Sequence, residues 1–152
     1  MANPNVHLRP PSCESDLSLT REIFREYANS LKVDLCFQGF EEELSGLPGD
    51  YAEPRGALLL AWVNDSVAGC CALRPLDSSD YTNAAEMKRL YVRPAFRGLR
   101  LGRQLAEGIL DAARSAAYSC VLLDTLDDME AARALYHQLG FTTHHRYWSR
   151  SS

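Results

Sequence analysis

Residues 84–104 read AAEMKRLYVRPAFRGLRLGRQ, and how this stretch divides decides the fold. Its first part is a β-favouring run that ends at Pro94. Gly98 and Gly102, interleaved with Arg97, Arg100 and Arg103, then lead into a sequence of helical periodicity. Where a strand passes into a helix, the first backbone N–H groups of the helix lack carbonyl partners, and the helix dipole adds partial positive charge. Phosphate suits that end: glycines let its oxygens approach the backbone, and arginines add charge-assisted hydrogen bonds. The stretch is a candidate cradle for a ligand carrying several phosphates, with a tight turn bearing solvated arginines as the alternative. Neither GxxxxGK[ST] nor GxGxxG occurs, so the P-loop and the dinucleotide fingerprint are both excluded.

The positive charge of this turn is local. The chain has 152 residues, 46% hydrophobic and 24% charged, a balance that predicts one soluble domain over 1–152. Sixteen Lys+Arg against twenty Asp+Glu give a formal charge of -4, which offers no electrostatic case for nucleic acid or anionic lipid as partners. No apolar run approaches the roughly 18 residues of a bilayer span, and MANPNVHLRPPS lacks a signal-peptide pattern, so a cytoplasmic protein is expected. The five cysteines are odd in number and without CxxC spacing, and read as reduced thiols. Cys70 and Cys71 adjoin in a predicted strand and should face opposite sides of it.

On the N-terminal side, Val6–Arg9 predicts a short strand closed by Pro10-Pro11. Leu19, Ile23, Phe24, Tyr27 and Leu31 share helical spacing in a segment opened by Ser15 or Asp16. A second helix is expected within 37–47, stopped by Gly46-Leu47-Pro48-Gly49. Ala57–Val63 and Ser66–Leu73 flank Asn64-Asp65 and predict a hairpin, and Ala85–Val92 the next strand. On the C-terminal side, residues 102–117 form an amphipathic helix with Leu105, Ile109, Ala112 and Ala116 on one face and Arg103, Glu107, Asp111 and Arg114 on the other. CVLLDTL at 120–126 is a buried-strand run. Asp127 with Glu130 opens a helix through Leu139, Gly140 ends it, and residues 141–148 supply a last strand. The order is β-α-α-β-β-β-α-β-α-β, a mixed α/β sheet flanked by helices.

From AAEMKRLYVRPAFRGLRLGRQLAEGIL through VLLDTL to EAARALYHQLGF, the chain resembles the GNAT superfamily of acetyl-CoA-dependent N-acetyltransferases in motif order and spacing. The likeness covers roughly residues 84–142. The family's phosphate turn follows [Q/R]xxGx[G/A]; Arg97 and Gly102 match it, while Arg100 replaces the middle glycine. The resemblance implies that Leu90, Tyr91 and Val92 pair their backbone with the pantetheine arm of acetyl-CoA. It also implies that Arg97, Gly98, Leu99, Arg100, Leu101 and Gly102 hold the pyrophosphate. A homodimer is common among relatives.

The implied reaction is direct attack of a primary amine, from a small molecule or a protein, on the thioester carbonyl through a tetrahedral intermediate. A lysine-like amine of pKa about 10.4 must first lose its proton, at a cost of about 4–5 kcal/mol at pH 7. Glu86 matches the position of the family's proton-accepting glutamate; a solvated or salt-bridged strand-end carboxylate beside Lys88 and Arg89 is the other reading. Tyr136 aligns with the tyrosine that protonates the departing thiolate, although it also falls on the apolar stripe of Ala132, Leu135 and Leu139. A backbone N–H near Leu90 or Tyr91 would stabilise the oxyanion, but no glycine in AAEMKRLYV marks the bulge that would aim it. Phe37 and Gln38 are the candidate acceptor-binding residues, on one wall of the acceptor pocket. The run Glu41-Glu42-Glu43 is either a solvated helix face or an attraction for a cationic amine. A non-catalytic coenzyme A-binding sensor is the competing function. No metal site is expected: His144 and His145 adjoin in a strand, and no third ligand has convincing spacing.

Overall fold

The computed structural model describes residues 5–30, 39–76, 82–124, 130–144 and 147–151. Strands β1 (Val6–Arg9), β2 (Ala57–Val63), β3 (Ser66–Leu76), β4 (Ala84–Val92), β5 (Cys120–Asp124), β6 (Thr142–His144) and β7 (Tyr147–Ser151) form one sheet in the order β1-β2-β3-β4-β5-β7-β6. Among the described residues only β4 and β5 pair in parallel; the other described pairs are antiparallel. Helices α1 (Glu14–Ser30) and α2 (Phe40–Ser45) follow β1, α3 (Leu101–Ser115) crosses from β4 to β5, and α4 (Glu130–Gln138) precedes β6. This is the mixed α/β architecture that the sequence predicts.

Alternation along the strands sends side chains to two separate cores. One face of the sheet joins α3 and α4 through Leu105, Ile109, Ala113, Tyr136 and Phe141. The other joins α1 and α2 through Ile23, Phe24, Phe40 and Leu44. Cys70 belongs to the second core and Cys71 to the first, as their adjacency requires. Burial raises both thiols well above the usual range, so both are structural and protonated.

Local chemistry places most boundaries. Asn64 takes φ +56° in the two-residue loop between Val63 and Ser66, and its N–H donates to the Asn5 carbonyl at 2.7 Å, tying the hairpin to the start of β1. The loop at Gly46–Gly49 ends α2, and Gly140 has φ +91° after α4. The expectation of a single last strand over 141–148 is wrong: Thr142↔Ser149, Thr143↔Trp148 and His144↔Tyr147 pair antiparallel, so the segment is two strands, with β7 inserted next to β5. Alternation alone carries no mark of chain reversal, and His145-Arg146 contains none of the usual turn residues.

Candidate active site

The parallel pairing of β4 with β5 runs from Ala84↔Cys120 to Met87↔Leu123. The described pairing of the two central strands ends at Met87↔Leu123, and among the described residues Lys88–Val92 have a strand partner on the β3 side alone. The turn of Pro94–Phe96 and residues 97–100 carries the chain from the end of β4 to α3. A Cβ on Gly102 would stand 3.9 Å from Val92 and 3.7 Å from Leu135, so β4, α3 and α4 converge there.

Helix α3 opens with no side-chain cap and no acidic residue in its first turn, so its N-terminal donors are not satisfied by a capping side chain. Gly98 has φ +97°, and Arg100, at the family's middle glycine, takes the left-handed φ of +60° regardless of its side chain. That conformation costs a non-glycine residue about 1–2 kcal/mol. The arginines do not act alike. Arg97 donates Nε to the Val92 carbonyl at 3.2 Å, and Arg103 is engaged by Glu107 at 2.9 Å and Gln138 at 3.3 Å. Arg100 is exposed at the helix mouth.

Glu86 precedes the last paired residue of β4 and is only 6% exposed. Its neighbours Ala85 and Met87 enter the α3/α4 core, so Glu86 points to the α1/α2 side. There Arg74, its cross-strand partner on β3, donates Nε to Oε1 at 3.0 Å. The carboxylate is thus salt-bridged, but by Arg74 rather than by Lys88 or Arg89. Arg74 also helps line a cleft of about 360 Å³ with Glu42, Glu43, Asp50 and Tyr51. The Tyr51 phenol is raised far above its ordinary value by burial and then by the Glu43 carboxylate. Lys88, next to the last described pair of β4 with β5, is half-buried; burial, reinforced by the Arg89 charge, lowers its ammonium pKa.

A bulge does interrupt β4. Cys70 pairs with Tyr91 and Ala72 with Lys88, so one residue of β3 faces two of β4. Arg89 is the residue in the left-handed region, with φ +62°. The sequence conceals this device because glycine, its usual signal, is absent. Arg89 is 5% exposed and forks onto Glu43 of α2, Nε to Oε2 and Nη2 to Oε1, both at 2.9 Å. Burial, the largest single influence, lowers the guanidinium pKa, but the Glu43 hydrogen bonds together with the charges of Tyr51, Glu43 and Tyr27 raise it on balance.

Tyr136 lies in the α3/α4 core at 5% exposure, edge-on to Phe141 at 6.3 Å between ring centroids. Glu86 and Tyr136 accordingly belong to opposite faces of the sheet. The acidic run also divides: Glu41 pairs with Arg25 of α1 at 3.2 Å, Glu42 lines the cleft and Glu43 grips Arg89, so it is not one solvated face. The sequence singles out neither Arg74 nor the pairing of Arg89 with Glu43, since these contacts depend on cross-strand and helix–strand pairing. Phe37 and Gln38, together with His145, lie outside the described residues. Among the described residues no three His, Cys, Asp or Glu side chains gather as metal ligands, and no helix is long and apolar enough to cross a membrane.

A family model, that of the acetyltransferase (GNAT) family, matches residues 19–141. An uncharacterized N-acetyltransferase of Schizosaccharomyces pombe is 35% identical over 149 residues, covering 97% of this chain and 90% of its own. An acetyltransferase of the GNAT family from Staphylococcus aureus superposes with a TM-score of 0.78 at 19% identity, over 97% of this chain and 99% of that one. A putative acetyltransferase of Salmonella typhimurium, solved with its cofactor acetyl-CoA, superposes with a TM-score of 0.73 at 20% identity, over 96% and 93% of the two chains.

Proposed function

The chain belongs to the GNAT acetyltransferase family and is an acetyltransferase, and from that premise we propose that it moves the acetyl group of acetyl-CoA to a primary amine by direct attack. The observation that carries this reading is the placing of Glu86 and Tyr136 on opposite faces of the sheet, with the uncapped start of α3 following the end of β4. That helix start supports binding of the diphosphate, with the backbone of residues 97–102 as its contact. Among the described residues Leu90–Val92 pair only with β3, which supports pairing of their other edge with the amides of the pantetheine arm once Arg97 releases the Val92 carbonyl. Acetyl-CoA is thereby a substrate held by main chain along most of its length.

In this scheme the amine enters from the α1/α2 side, where the cleft around Arg74 lies. Its nitrogen bonds to the acetyl carbon as Glu86, directly or through a water, takes the proton. Arg74 holds one oxygen of that carboxylate and so fixes its direction. The bulge at Arg89 frees backbone N–H groups of β4 from the ladder, and these stabilise the oxyanion. Collapse breaks the C–S bond, and Tyr136, on the side of the sheet away from the amine, protonates the leaving sulfur. Base and acid on opposite faces suit a reaction in which the nucleophile arrives on one side and the leaving group departs on the other.

The test is release of free thiol from acetyl-CoA across a panel of primary amines, with product mass read in parallel. The expected result is amine-dependent thiol release matched by a gain of one acetyl group on the acceptor. Binding of acetyl-CoA with no thiol release across a broad panel of small amines, peptides and protein amino termini would overturn direct transfer to amines.

A further inference from the structure

A bulge needing a positive φ is ordinarily given to glycine, which adopts it without strain. Here the position holds an arginine whose side chain is 4% exposed, with both its guanidinium and its carbonyl engaged. The guanidinium forks onto Glu43 with two bonds of 2.9 Å and stands 5.3 Å from the centroid of the Phe40 ring, both residues of α2. Its carbonyl accepts the Cys70 thiol of β3 at 3.1 Å. Glu43 in turn lines the cleft on the Glu86 side of the sheet. A planar fork between two fixed side chains defines an orientation as well as a distance. A lysine at Arg89 would supply the charge without it.

We infer that Arg89 and Glu43 are a positioning pair: α2, through this fork, sets the backbone of the β4 bulge and so aims the N–H donors that meet the thioester carbonyl. The inference rests on the proposed acetyl transfer at this site. Neither side chain touches the reacting atoms. The pair acts through the backbone of residues 89–91, and it links the wall of the acceptor cleft to the thioester side of β4.

The experiment compares Glu43→Gln, Arg89→Ala, Arg89→Gly and the double variant Glu43→Gln/Arg89→Gly, each assayed at a temperature where circular dichroism shows it fully folded. Misaiming the donors lowers kcat while leaving phosphate-end binding intact, so Arg89→Ala should lose at least about tenfold in kcat with the acetyl-CoA KM within about twofold. Arg89→Gly, free to take the left-handed conformation, should recover part of that loss, and Glu43→Gln should have no added effect in its background. An ion pair serving stability alone would lower the melting temperature of all variants and leave kcat of the folded proteins unchanged; that result overturns the inference. So does Arg89→Gly turning over no faster than Arg89→Ala. Should Arg89→Ala not fold, the kcat of Glu43→Gln, alone and in the Arg89→Gly background, decides the question. Wild-type protein that releases no thiol with any amine would remove the acetyl-transfer reading and this inference with it, whereas normal wild-type turnover with unaffected variants defeats the positioning pair only.

Discussion

Tyr136 and Glu86 are both nearly inaccessible in a sheet protein of modest size, yet they are buried for different reasons. Tyr136 completes an apolar face against Phe141; Glu86 is buried as a charge beside Arg74. In the proposed chemistry each acts on one face of the sheet, and their removal should have separable signatures. Tyr136→Phe keeps the ring and the packing, so turnover should fall about 10²–10⁴-fold with little change in coenzyme A affinity measured by calorimetry. Arg97→Ala should do the reverse, chiefly weakening cofactor binding. Glu86→Gln should depress the rate at neutral pH and spare it as pH approaches the amine pKa of about 10.4, where free base forms unaided. A pH–rate profile parallel to wild type would remove Glu86 from the mechanism, and undiminished turnover in Tyr136→Phe would remove the acid.

Among the elements, α1 shows how a boundary is set by partners that sequence order separates. It opens at Glu14, with Asp16 in the first turn accepting hydrogen bonds from the Ser12 N–H at 2.9 Å, the Ser12 hydroxyl at 3.0 Å and Arg9 Nη1 at 2.9 Å. The Ser12 N–H, aided by Arg9 and the hydroxyl, holds the Asp16 carboxyl below its ordinary value, while burial acts in the opposite direction. A depressed folded-state pKa means stability that is present above the unfolded value of about 3.9 and lost as pH falls through the folded value. Urea midpoints should therefore fall more steeply on acidification in wild type than in Asp16→Asn, which should be less stable at neutral pH by about 1 kcal/mol. Parallel midpoint curves would show that Asp16 is not a source of acid sensitivity. The β4 bulge is the second case: a strand of AAEMKRLYV reads as regular, and only its register with β3 shows the extra residue at Arg89. The pair β6 and β7 is the third, since an alternating run gives strand character but no count of strands.

At the scale of the whole molecule, β4, α3 and α4 converge at Gly102, so a ligand seated there joins the sheet to the helices that cover it. Ligand that binds only the folded state adds stability by mass action, about 2.7 kcal/mol at a free concentration one hundred times its dissociation constant. For a chain of this size that corresponds to a rise in melting temperature of roughly 5–10 °C with coenzyme A, and Arg97→Ala should blunt it at fixed concentration. No shift with either acetylated or free coenzyme A would count against the diphosphate site. The sequence alone determined the element types, the opposite facing of Cys70 and Cys71, and the glycine–arginine turn before α3, because each follows from periodicity or from a chemical signal within a few residues. It also located Glu86 and Tyr136 by resemblance, without showing how either is held. Tertiary structure decided that these two side chains stand on opposite faces, that Arg74 rather than Lys88 or Arg89 pairs with Glu86, that the acidic run of α2 serves three separate ends, and that an arginine occupies a bulge. Those outcomes depend on strand register and on helix–strand pairing between residues tens of positions apart, and no local pattern of side chains encodes which distant partner will satisfy a buried charge.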